Sequence, residues 1–130
     1  MSQITTHVLD TVLGRPASGI TVRLEKHEGG AGIELSTAPA DGVDRAREVA
    51  GMWVTISKSA TDADGRCRDL ASDAPPGLYR VTFGTRAYLK QQMRSSLYPE
   101  VSITFDCDGE AHYHLPLLLS DNGYTTYRGS

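Results

Sequence analysis

Four imidazoles, two of them separated by a single residue, are the groups in this chain best suited to do chemistry: His7, His27, His112 and His114. An imidazole changes charge near neutral pH, so it can act as general base, general acid or neutral metal ligand. On an extended strand, residues two apart share a face. His112 and His114 therefore point the same way, opposite to Tyr113, Leu115, Leu117 and Leu119. His7 sits in Ile4-Thr5-Thr6-His7-Val8, where Ile4, Thr6 and Val8 make the core side and the imidazole faces outward. Three outward histidines can hold a metal as a His₃ set, serve as bases, or do nothing. Pattern alone favours the last. His27, between Lys26 and Glu28 with Gly29-Gly30 close behind, is expected to be a solvated loop residue.

Other chemistries fail on spacing. Cys67 and Cys107 form no Cys-x-x-Cys pair, so a thiolate zinc site is not expected, and two cysteines cannot make a disulfide framework. Reduced thiols in a cytoplasmic protein fit better than a single 67–107 bridge. Asp62-Ala63-Asp64-Gly65 suggests a calcium loop, yet no Glu stands twelfth from Asp62, and a hairpin turn explains it better. Nucleophile-elbow, phosphate-loop, dinucleotide and zincin motifs are all missing from the sequence. An enzyme built on these residues needs neither nucleotide nor metal, and no cofactor is expected. The chain ends in Tyr127-Arg128-Gly129-Ser130, a polar, aromatic and cationic tip suited to function rather than to fraying.

The elements that must position these groups repeat every second residue. Ile20, Val22 and Leu24 alternate with polar residues, as do Met52, Val54 and Ile56; Tyr79, Val81 and Phe83; and Val101, Ile103 and Phe105. Gly14-Arg15-Pro16, Pro75-Pro76-Gly77, Asp106-Cys107-Asp108-Gly109 and Asp121-Asn122-Gly123 supply turns between them. Many short strands with regular turns predict an all-β antiparallel sandwich. One helix is predicted over Arg86–Arg94, with Thr85 as its cap. Asp44–Ala50 reads as a short helical turn or a loop.

With 130 residues, the chain fits one domain, 1–130. Thirteen Lys and Arg against sixteen Asp and Glu leave a net charge of −3, the wrong sign for a protein that neutralises phosphates, so no nucleic-acid partner is expected. No apolar run is long enough to span a bilayer, and the N-terminus lacks the basic and apolar regions of a signal peptide. A cytoplasmic protein without membrane contact is expected.

Three blocks of sequence resemble the transthyretin-like 5-hydroxyisourate hydrolases of purine catabolism. The first is Thr6-His7-Val8-Leu9-Asp10, continuing through Gly14-Arg15-Pro16-Ala17 to Val22-Arg23-Leu24; the second is Thr61-Asp62-Ala63-Asp64-Gly65-Arg66. The third is His112-Tyr113-His114-Leu115-Pro116-Leu117-Leu118-Leu119-Ser120, running on to Tyr124 and the terminal Tyr127-Arg128-Gly129-Ser130. The likeness covers nearly the whole chain except about residues 28–59, a longer excursion than the family's usual hairpin. The terminal tetrapeptide is its most specific part, because vertebrate transthyretin, the hormone carrier of the same fold, lacks it.

The resemblance implies a transthyretin-like (prealbumin-like) sandwich of two four-stranded sheets with one short helix. It implies a homotetramer, a dimer of dimers, with sites in channels between dimers. Its catalytic set falls on His7, Arg66, His114 and Ser130, and substrate binding on Tyr127, Arg128 and Gly129. The implied reaction is metal-independent hydrolysis of a cyclic amide-type C–N bond in 5-hydroxyisourate, giving 2-oxo-4-hydroxy-4-carboxy-5-ureidoimidazoline. His7 and His114 share the proton transfers, and the order between them stays open. The alternative is a non-catalytic carrier of small ligands, like transthyretin itself.

Overall fold

Alternating apolar residues dictate two sheets, each dry on one face. The computed structural model describes residues 2–29, 33–36, 45–48 and 51–130. In the first sheet, β1 (Ser2–Asp10) runs between β10 (His112–Leu119) and β7 (Arg66–Ala74), and β11 (Tyr124–Thr126) lies outside β10. A two-residue strand, β2 (Arg15–Pro16), adds to the Asp10 end of β1. The second sheet has the order β6 (Met52–Ala60), β3 (Thr21–Glu28), β8 (Gly77–Phe83), β9 (Val101–Cys107). A separate hairpin joins β4 (Ile33–Ser36) to β5 (Arg45–Glu48). Ile4, Val8, Leu70 and Leu117 from the first sheet and Val22, Leu24, Tyr79, Val81 and Phe83 from the second form the buried centre. Its apolar area is the main source of stability.

The two-sheet sandwich with one short helix is therefore the expected one, with five differences. The first sheet has five strands and not four, because the short β2 adds to β1. β1 and β10 run parallel, which a purely antiparallel reading misses. The helix, α1, spans only Thr85–Lys90; Gly84 occupies its N-cap without a side-chain bond, and Thr85 is a buried first residue instead of a cap. Arg45–Glu48 is strand rather than helical turn, while residues 30–32, 37–44, 49 and 50 of the long excursion lie outside the described residues. Met52, Val54 and Ile56 do lie on a strand, but β6 is a sheet edge and leaves them 66%, 39% and 46% exposed. Among the described residues no helix is long and apolar enough to cross a membrane.

His27 is also placed differently. It belongs to β3 and is buried, with the Trp53 ring edge-on at 5.0 Å and the Arg80 guanidinium stacked 4.3 Å over that indole. Strand pairing of His27 with Trp53 overrides the polar neighbourhood that suggested a loop.

Beside the core lies a buried ion pair. Asp10 ends β1 with its carboxylate fully buried, and Arg94, just past α1, reaches it at 2.6 Å. Oδ1 also accepts from the Val12 and Leu13 amides and Oδ2 from the Tyr88 hydroxyl, while Arg94 further bonds Asp121 at 2.8 Å. Burial pushes the Asp10 carboxyl up, but the Arg94 guanidinium and these donors outweigh it and hold the group at about 2. Because that lies below 3.8, the value of an unperturbed Asp, the stabilisation is complete above pH 3.8 and drains away as pH falls towards 2. Arg94→Ala strands a buried charge and should cost about 3–5 kcal/mol in urea denaturation. A loss below about 1 kcal/mol, the size of a surface pair, would contradict this role.

Candidate active site

Strand register builds the site. His7 on β1 lies directly opposite Arg66, the first residue of β7, and Thr5 lies directly opposite His114 on β10. The intervening residues Ile4, Thr6, Val8, Cys67, Tyr113 and Leu115 are buried in the sandwich, so Thr5, His7, Arg66 and His114 share the outer face. The His7 and His114 rings are 6.5 Å apart, centre to centre.

A tight turn fixes His7. The Asp62 carboxylate accepts from the Asp64 and Arg66 amides, and the Arg66 amide chiefly holds that carboxyl below its usual range. Gly65 has φ +75°, and a Cβ there would meet the Val8 carbonyl oxygen at 2.4 Å, so only glycine fits. The turn presents the Asp64 carbonyl to His7 Nε2 at 2.9 Å. A carbonyl only accepts, so neutral His7 carries its proton on Nε2 and its lone pair on Nδ1. This is a turn, as expected, but it passes from β6 in one sheet to β7 in the other and closes no hairpin.

His114 is the more protected imidazole. Thr5 Oγ1 lies 2.7 Å from its Nδ1, and the Gly129 amide donates to its carbonyl at 2.8 Å. Burial lowers its basicity first, and the charges of Arg66, His112 and His7 lower it further. The ring therefore stays neutral at neutral pH, the state a proton acceptor needs.

The C-terminal tail crosses over this ring. Thr126 bonds the Pro116 carbonyl at 2.7 Å, and Gly129 bridges to His114. A Cβ at Gly129 would stand 2.6 Å from His114 Cδ2 and 3.1 Å from the Pro116 ring. Gly129→Ala must therefore shift the imidazole or lift the tail. It should lower kcat/KM at least about tenfold while the melting temperature barely moves, since the tail is largely exposed. Full activity in that variant would separate the tail from the ring.

One chain thus gathers His7, Arg66, His114 and Gly129. It does not gather the whole expected set. The Arg128 guanidinium lies 4.8 Å over the Tyr113 ring, a residue of the core side, and Tyr127 and Ser130 are exposed. Among the described residues no three His, Cys, Asp or Glu side chains stand close enough to hold a metal ion. Sequence reasoning missed Thr5 and the Asp64 carbonyl: a threonine in a strand carries no motif, and a backbone acceptor carries no sequence signal at all.

A two-sheet sandwich bearing paired imidazoles and an arginine on an outer sheet face defines a class, and the comparisons agree with it. Residues 4–129 match the model of the HIUase/Transthyretin family, and the chain belongs to that family. The 5-hydroxyisourate hydrolase of Mus musculus is 39% identical, over 99% of this chain and 96% of that protein. That of Mesorhizobium japonicum is 36% identical, over 98% and 92%. Among solved structures, Klebsiella pneumoniae 5-hydroxyisourate hydrolase superposes with a TM-score of 0.76 at 33% identity, covering 100% of both chains. Transthyretin from Sparus aurata gives 0.76 at 29% identity, covering 99% and 97%.

Proposed function

We propose that this chain hydrolyses 5-hydroxyisourate to 2-oxo-4-hydroxy-4-carboxy-5-ureidoimidazoline with His114, His7 and Arg66 as its working groups. The observation that carries the reading is the register placing a neutral imidazole, a second imidazole and a guanidinium on one sheet face. Opening a cyclic amide-type C–N bond needs an activated water, support for negative charge at the attacked carbonyl, and a proton for the leaving nitrogen. His114, kept neutral by burial and nearby cations, takes the proton from water. His7, its Nε2–H committed to Asp64, is a fixed second imidazole that can pass a proton only through Nδ1. Arg66 has no ion-pair partner among the described residues, which leaves its fork free for an oxygen-rich, readily anionic ring.

The tail completes the site in an assembly. Tyr127 and Ser130 supply hydroxyls, Arg128 a second cation, and Gly129 the close approach. Leu118 lies half-buried on the outer face of β10 beside the site, which suits an interface rather than open water. The chain forms a homotetramer, a dimer of dimers, with the imidazole faces turned into channels. Sedimentation at micromolar concentration should give a species near four chains; a fully active monomer would remove the channel. Two buried free thiols, Cys67 and Cys107, support a reducing, cytoplasmic setting.

Substoichiometric protein added to freshly generated 5-hydroxyisourate separates an enzyme from a carrier. The enzyme clears many equivalents per chain, seen as loss of ultraviolet absorbance faster than spontaneous decay. A carrier removes at most one equivalent per site and accelerates nothing.

A further inference from the structure

The Thr5 hydroxyl touches two imidazoles at once: His114 Nδ1 at 2.7 Å and His112 Nε2 at 3.0 Å. The hydroxyl has one proton to give and two lone pairs to receive with; each neutral imidazole has one N–H and one lone pair. Thr5 is 7% exposed, so water cannot readily repair a bad arrangement. Only two arrangements satisfy all three groups. In the first, Thr5 donates to His114 Nδ1 and accepts from His112 Nε2–H, and both rings carry their protons on Nε2. In the second, His114 Nδ1–H donates to Thr5, whose own proton goes to His112 Nε2, and both rings carry their protons on Nδ1. If both rings donate to Thr5, its proton is stranded. If neither does, a lone pair faces a lone pair.

We propose that Thr5 locks the tautomers of His112 and His114 together in the second arrangement, making Thr5 and His112 positioning residues for the base. The inference rests on the reading of His114 as proton acceptor given under "Proposed function". In that arrangement His114 Nε2, which has no hydrogen-bond partner among the described residues, presents its lone pair. The neighbours favour this choice. Arg66 offers only N–H groups, and His7 lies 6.5 Å away, so an acceptor complements this face better than another donor. When His114 takes the proton of water at Nε2 it becomes an imidazolium whose Nδ1–H still donates to Thr5. No bond along the chain then has to reorganise during the step. His112, 6.1 Å from His114 and exposed, does its work without touching substrate.

The test is the tautomer of each ring in the resting protein, read by long-range ¹H–¹⁵N correlation on histidine-labelled protein well above the usual imidazole pKa of about 6.5. The wild type should show Nδ1–H at both His112 and His114. His112→Phe removes the acceptor at an exposed position, so folding is spared. Thr5 is then free to donate to His114 Nδ1, and His114 should move to Nε2–H. The base-competent fraction falls, and kcat should drop about tenfold with KM little changed. Thr5→Val should uncouple the two rings, and Thr5→Ser should restore both the tautomers and kcat. Nε2–H at His114 in the wild type would overturn the proposal, as would a His114 tautomer indifferent to His112→Phe. A shifted tautomer with unchanged kcat would overturn the positioning role. Because the spectra need no turnover, failure of the hydrolase reading would appear separately, as correct tautomers in a protein that clears no substrate.

Discussion

His114→Ala should lower kcat by about 10²–10⁴-fold, the usual contribution of a positioned general base. The substitution should leave the sandwich intact. The imidazole lies on the outer face of β10, and its strand partner Thr5 and the Gly129 bridge are held through backbone bonds that alanine retains. His7→Asn should also be severe, since it removes both the second imidazole and the contact that fixes the Asp64–Arg66 turn. His27→Ala is the contrasting control. That residue packs under Trp53 on the other sheet, so the variant should lose stability and keep its kcat. Steady-state kinetics with circular dichroism separates the cases. A folded His114→Ala protein that retained most of the wild-type kcat would show that another group takes the proton.

Deleting Arg128-Gly129-Ser130 should abolish hydrolysis and spare the fold. The tail contributes little buried surface: Tyr127 is 54% exposed, and no core residue comes from beyond Leu119. What the deletion removes is the amide that clamps the His114 carbonyl, the glycine pressed on its ring, and the Arg128 charge. If the proposed assembly brings Arg128 to the substrate, loss of that one preorganised charge-stabilising donor alone costs about 10²–10³ in kcat. A bulky C-terminal tag should act in the same direction by crowding the tail against His114, whereas an N-terminal tag should be better tolerated. Undiminished kcat/KM in a folded truncation would confine the site to His7, Arg66 and His114.

Much of this was legible in the residues, and the exceptions have physical causes. Period-two alternation identified the strands through Val22, Val81 and Leu117 because both sheets are dry on one side. It was blind to the parallel pairing of β1 with β10, since alternation carries no direction. Alternation also placed His7, His112 and His114 outside the core. It could not show that Thr5 sits between two of them, because that depends on which strand neighbours which and in what register. His27 was misread because its neighbours Lys26 and Glu28 are polar, while its burial comes from a cross-strand Trp53 remote in sequence. The Asp10–Arg94 pair was invisible for the same reason: it joins a strand end to the segment after a helix. The terminal tetrapeptide announced itself by composition, yet only the structure separates Gly129, which touches His114, from Arg128, which in one chain turns to Tyr113.

The most direct measurement is the initial rate of loss of freshly generated 5-hydroxyisourate against pH, corrected for spontaneous decay at each point. Since burial and nearby cations lower the pKa of His114 from 6.5, kcat/KM should fall to half its plateau below pH 6.5 and not at it. This acid limb marks His114 gaining its proton. The expected result is multiple-turnover acceleration with that acid limb; in His114→Ala the acceleration should fall by about 10²–10⁴-fold and the limb should disappear. A rate no faster than spontaneous decay at every pH, from a folded wild-type protein, would contradict the assignment of hydrolysis to this site.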